Sequence, residues 1–124
     1  MIRILKGFPK NALGVSHVGH VSAEDYAHIL LPEIEKRIRR YGNVRLLVRI
    51  SDDFQGFEPG AIWSDAKLGL RHWLDFSRLA LVSDLRWLRD STLFFGAFFP
   101  HPLKVFADDE FEAARAWLLK EESA

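Results

Sequence analysis

The residues of this sequence that could do chemistry are five histidines, an acidic group at Asp52, Asp53 and Glu58, and two serines, Ser51 and Ser83, that each precede an aspartate. A metal centre or an acid/base site would need such groups brought together. His17 and His20 are three apart, and on a strand that spacing sends them to opposite faces. His28, His72 and His101 have no ligand-like spacing with each other or with a carboxylate, so no metal site is expected. There is no cysteine, which removes thiolate ligands, disulfides and cysteine nucleophiles. No G-x-S-x-G elbow, P-loop or dinucleotide fingerprint occurs, and F-Q-G-F-E-P-G at 54–60 has too few glycines to cradle a phosphate. With no nucleophile–base pair to identify, no catalytic residue and no cofactor are expected, and an enzyme built on Asp52 or Asp53 ranks last among the readings. Those two carboxylates follow a buried strand, the end of an open α/β sheet where ligands bind. They are either solvated loop charges or the polar mouth of a ligand site.

The bulk properties narrow the partners. At 124 residues the chain is expected to form one domain, 1–124, with a core of its own. Seventeen basic residues balance seventeen acidic ones, so nothing draws the chain toward nucleic acid. The N-terminal M-I-R-I-L-K-G has too short an apolar run for a signal peptide, and no run of apolar residues is long enough to span a bilayer. The expected compartment is the cytoplasm, with peripheral membrane contact as an extension.

The elements that must position any site alternate along the chain. Residues 2–5 and 13–22 read as strands joined by F-P-K-N, an edge hairpin. Ser22 and Asp25 approximate a capping box, and a stripe from Tyr26 through Ile29, Leu30, Ile34 and Ile38 to Tyr41 predicts a helix closed by Gly42. Pro32 lies inside that stripe and should kink or divide the helix. V-R-L-L-V-R-I at 44–50 predicts a central strand covered on both faces, followed by a loop over 51–60. Pro59 and Gly60 open a second helix, R-L-A-L-V at 78–82 is a buried strand, and Ser83 caps a third helix beginning at Asp84. A last strand at 103–106 precedes a terminal helix at 108–120. The alternation predicts an α/β fold: a mostly parallel, five-stranded mixed sheet with an N-terminal edge hairpin and about four flanking helices.

The aromatic residues are the stronger signal. Four of the ten phenylalanines fall in D-S-T-L-F-F-G-A-F-F-P at 90–100. On the third helix Leu85, Leu88, Phe95 and Phe99 follow one face, and Trp87, Phe94 and Phe98 another. A helix with two apolar faces cannot hide both against one sheet. The surplus face must complete the core against a neighbouring helix, or meet a ligand, a second subunit or lipid.

The order of motifs carries a resemblance. G-V-S-H-V-G-H-V-S-A-E-D-Y (14–26), L-L-P-E-I-E (30–35), V-R-L-L-V-R-I (44–50), F-Q-G-F-E-P-G-A-I-W-S-D (54–65), R-L-A-L-V-S-D (78–84), W-L-R (87–89) and V-F-A-D-D-E-F-E-A-A-R-A-W-L (105–118) follow one another. Together they resemble the SpoIIAA-like, STAS-type bacterial proteins over nearly the whole chain. The resemblance implies a βα superhelical fold shared with anti-sigma-factor antagonists and similar to CRAL-TRIO lipid-transfer domains. The antagonists bind a protein partner and are switched by phosphorylation of a serine in a D-S-S or D-S-G loop. This chain has I-S-D-D instead, and the charges of Asp52 and Asp53 would repel a phosphate on Ser51.

The combined expectation is a non-enzymatic binding module for a small apolar or lipid-like molecule. Its pocket would lie between the sheet and the second and third helices, lined by Phe57, Trp63, Leu70, Phe94, Phe95 and Phe98, with Asp52 and Asp53 at its mouth. Residues 91–99 would supply any peripheral membrane contact. The alternative is a regulatory interaction module of the anti-sigma-antagonist type without the phosphoserine switch, the aromatic surface meeting a protein partner or a second copy.

Overall fold

The computed structural model describes residues 1–121, except for the side chains of 64–66 and 68–70. Five strands, β1 (Ile2–Ile4), β2 (Ala12–Val21), β3 (Val44–Phe57), β4 (Phe76–Val82) and β5 (Leu103–Phe106), form one sheet in the order β1-β2-β3-β4-β5. β1 runs antiparallel to β2, and β2 through β5 are parallel. The sheet is therefore the expected mixed, mostly parallel one with an edge hairpin. Between parallel strands the chain must cross over a face of the sheet, and the intervening apolar-striped segments do so as helices.

The first crossover begins at Ser22, whose hydroxyl accepts from the Asp25 amide while the Asp25 carboxylate accepts from the Ser22 amide. The short helix α1 (Ala23–Asp25) widens into a π-helical segment (Tyr26–Leu30) before α2 (Leu31–Tyr41). Pro32, in the first turn of α2, has no amide hydrogen to return to the preceding turn, which accounts for the irregularity lying just before it. Gly42 ends α2 with φ +84°, a conformation open to glycine. α3 (Pro59–Arg71) links β3 to β4, α4 (Arg86–Gly96) links β4 to β5, and α5 (Phe111–Leu119) follows a short 3-10 turn (Asp108–Glu110).

Two expectations are corrected. Residues 51–57 are not a loop: β3 continues to Phe57, because β2 keeps pairing with it beyond the end of β4, through Gly19 with Phe54 and Val21 with Phe57. The continued ladder is irregular: β3 carries extra residues between Ile50 and Phe54 and between Phe54 and Gly56, and Gly19 on β2 and Gly56 on β3 stand at φ +61° and +134°. The third helix starts at Arg86 rather than Asp84, with the buried Ser83 hydroxyl accepting from the Leu85 amide just ahead of it.

Alternation along β3 sends Leu46, Val48 and Ile50 to one face and Arg45, Leu47 and Arg49 to the other. Under α5, Leu47 packs with Ala12, Ala80, Val82, Phe106, Ala114 and Leu118. There Arg45 and Arg78 donate to the carbonyls of Leu118 and Lys120, and Arg78 also to that of Trp117. Two guanidinium groups thus bond carbonyls at the C-terminal end of α5 and sit at the negative end of its dipole.

Candidate functional site

The two faces of the sheet are packed differently. Beneath α5 the core closes completely: Leu47, Val82, Ala114 and Leu118 have no exposed surface. On the opposite face the in-register rows Leu13–Leu46–Leu79–Leu103 and Val15–Val48–Leu81 make an apolar floor. There Val48 and Leu79 are only half-buried although they lie on interior strands. The helices above them stand off and leave a partly enclosed cavity of about 730 Å³.

The cavity floor is Leu46, Val48 and Ile50 of β3 with Leu79 and Leu81 of β4. Its roof is α4 and the turn beyond it, through Leu88, Ser91, Thr92, Phe95 and Phe99, with Trp87 toward the rim. Trp73 closes one wall, its ring 5.0 Å from that of Phe95 and 5.6 Å from that of Phe99. Edge-to-face pairs of this kind lock aromatic walls in place, each contributing about 0.5–1.5 kcal/mol beyond burial. The remaining wall is Tyr26, Leu30, Phe57 and His17.

His17 is the polar feature of that wall. Its parity with Leu13 and Val15 puts it on the cavity face, beside Ile50 in the register. The ring is 3% exposed and is walled by Tyr26, Phe54 and Phe57. Its Nε2 lies 3.4 Å from the Tyr26 hydroxyl, and Nδ1 has no hydrogen-bond partner. Burial drives its pKa down from 6.5 to about 4, the positive amino terminus adding to the effect and Asp25 opposing it. The imidazole is therefore neutral at pH 7.

Of the residues read from the sequence as pocket lining, Phe57 and Phe95 border this cavity. Trp63, Phe94 and Phe98 do not: they are 67%, 72% and 67% exposed. Phe94 and Phe98 pair with each other at 5.5 Å on the outer side of α4. The Leu70 side chain lies outside the described residues. Asp52 and Asp53 are exposed on the extension of β3 and are not among the cavity's lining residues. Sequence reading missed His17, Tyr26, Trp73 and Phe99. Strand parity was the available signal for His17.

The SpoIIAA-like family matches residues 12–119, every element from β2 to α5. The chain belongs to the SpoIIAA-like family. A solved structure of an uncharacterized DUF3478-family protein with a SpoIIAA-like fold, from Shewanella loihica, superposes with a TM-score of 0.74 at 28% identity. The match covers 94% of this chain and 93% of that one. Comparison with curated proteins finds no match.

Other polar clusters of this SpoIIAA-like chain are structural in geometry. The Ser51 hydroxyl donates to Asp108 at 2.5 Å and Arg49 lies 3.3 Å from the same carboxylate, which ties β3 to the turn before α5. Hydrogen bonding by Ser51 and Arg49 holds the Asp108 carboxyl below its ordinary pKa despite partial burial. His72 pairs with Asp75 at 3.0 Å across the α3–β4 turn. Among the described residues no group of three or more His, Asp or Glu could hold a metal ion, and no helix is long and apolar enough to cross a membrane.

Proposed function

We propose that this SpoIIAA-like chain is a non-enzymatic binding module whose cavity takes a small apolar or lipid-like molecule. One observation carries the reading. The sheet face under α5 is sealed, whereas the face under α3 and α4 leaves about 730 Å³ of space walled by aliphatic and aromatic side chains. Ligand cavities span about 300–1,000 Å³ and are mostly apolar with a few polar groups, a description this one meets. Affinity would come from apolar burial, at about 25 cal/mol per Å² removed from water.

The test is native mass spectrometry of protein purified from its host, followed by thermal unfolding of delipidated protein with and without long-chain apolar compounds. A ligand at 100 times its Kd adds about 2.7 kcal/mol to stability. Absence of any bound small molecule together with an unchanged Tm across the panel refutes the reading.

A second reading rests on a separate observation, the exposed Leu93, Phe94 and Phe98 on α4 and the turn after it. This surface supports a regulatory protein-interaction role, by analogy with the antagonists that share the fold. The phosphoserine switch has little support: the Ser51 hydroxyl is already engaged by Asp108, and Asp52 and Asp53 follow it. The cytoplasm is the proposed compartment, with residues 91–99 as the surface for any membrane contact.

A further inference from the structure

The cavity's polar groups have a common character. Its lining includes His17, Tyr26, Ser91 and Thr92, and among the described residues it contains no Asp, Glu, Lys or Arg. His17 and Tyr26 come from β2 and the π-helical segment, Ser91 and Thr92 from α4 on the opposite wall. The Ser91 hydroxyl donates to the Trp87 carbonyl within its own helix. His17 is different: a buried imidazole whose Nδ1 finds no protein partner. A polar atom removed from water without a partner is costly, and in native structures such an atom calls for a specific explanation.

We infer, on the reading that the cavity binds an apolar ligand, that this ligand is an uncharged molecule carrying a hydroxyl or carbonyl group, seated with that group at His17. A carboxylate or phosphate entering the same space would shed its hydration with no cation in the cavity lining to replace it, the nearby amino terminus lying outside that lining and paired with Asp25. The imidazole does not supply one, since burial keeps it neutral at pH 7. A neutral imidazole presents one donor and one acceptor nitrogen; Nε2 faces the Tyr26 hydroxyl, and the buried Nδ1 would match either a hydroxyl or a carbonyl once a turn of the ring brought it to the cavity. The apolar remainder of the ligand would run over Val48 and Leu81 toward Phe95 and Phe99. Uncharged long-chain alcohols and isoprenoid or sterol-type alcohols and ketones have this chemistry. Fatty acids and phospholipids do not.

The experiment uses four probes of equal chain length at pH 7.5: dodecane, dodecanol, dodecanoate and dodecyl phosphate, each titrated into delipidated full-length protein and followed by calorimetry and thermal unfolding. Dodecanol is expected to bind about tenfold more tightly than dodecane, the size of one well-placed hydrogen bond, and at least tenfold more tightly than either anion. Nitrogen-15 spectra of the unmodified protein should show the His17 ring nitrogens shifting with dodecanol and not with dodecane. His17→Phe should abolish the preference for dodecanol over dodecane, bringing the two affinities together. If dodecane or dodecanoate binds as tightly as dodecanol, or if the His17 resonances stay put, the assignment of an uncharged head group at His17 is overturned while the cavity's ligand role stands. If none of the four binds, the ligand role itself falls and the inference with it.

Discussion

The space above β3 can be tested without knowing any ligand, by enlarging two neighbouring residues that face opposite ways. Leu47 and Val48 are adjacent on the central strand. Leu47 is 0% exposed beneath α5, while Val48 is half-buried on the cavity floor. Leu47→Phe forces a ring into a closed core beside Ala12, Ala80, Ala114 and Leu118, and overpacking of this kind costs about 1–3 kcal/mol. Val48→Phe adds four carbons where there is already room. If half of that surface leaves water, about two methylene equivalents at 0.8 kcal/mol each outweigh a rotamer cost of roughly 0.5–1 kcal/mol, for a net stabilisation of about 0.6–1.1 kcal/mol. The two variants should therefore differ by about 2 kcal/mol in urea unfolding at unchanged m, equivalent to roughly 6–10 °C in Tm for a domain of this size. Equal destabilisation by both substitutions would mean that the helices close over Val48 in solution. The cavity, and every inference drawn from it, would then be wrong.

Three further outcomes are expected. His17 has its pKa depressed from 6.5 to about 4, so the unfolded chain binds the extra proton first. Stability is then complete above pH 6.5 and falls as the pH is lowered to about 4, by roughly 3 kcal/mol from this group. His17→Phe should flatten that window in pH-resolved denaturation, and an unaltered slope would contradict the burial assigned to the ring. Asp108 also has a depressed pKa, which contributes stability above the ordinary carboxylate range and loses it as the pH falls through the folded value. Asp108→Asn should accordingly destabilise at pH 7 and have little effect at pH 2, and an equal loss at both would show that charge is not what matters there. On α4, Phe94→Ser and Phe98→Ser should each change stability by less than about 0.5 kcal/mol, since both rings are largely exposed, whereas Phe99→Ala should cost about 3–5 kcal/mol. A large loss from Phe94→Ser, measured by the same unfolding assay, would place that ring in a packed environment.

Much of the fold was legible because its signals are local. The Ser22–Asp25 box, the Gly42 stop and the apolar run at 44–50 depend on residues close in the chain, and each has its counterpart in the structure. The extension of β3 was not legible. Polar Ser51, Asp52 and Asp53 read as a loop, yet they lie within a strand whose backbone pairing with β2 resumes at Phe54, and side-chain polarity plays little part in that pairing. The aromatic pattern of α4 lay between these cases. Its two apolar faces follow from spacing alone, but spacing does not say which face turns inward.

The sequence by itself determined the order of strands and helices, the charge balance and the family, because periodicity, capping and motif order are written in neighbouring residues. Only the tertiary structure decided that Phe95 and Phe99 turn toward the sheet while Phe94 and Phe98 turn out, and that His17 joins them across a cavity. The physical reason is distance. A cavity is space left between elements far apart in the chain, set by how α3 and α4 settle over rows contributed by four different strands. No single segment carries that information.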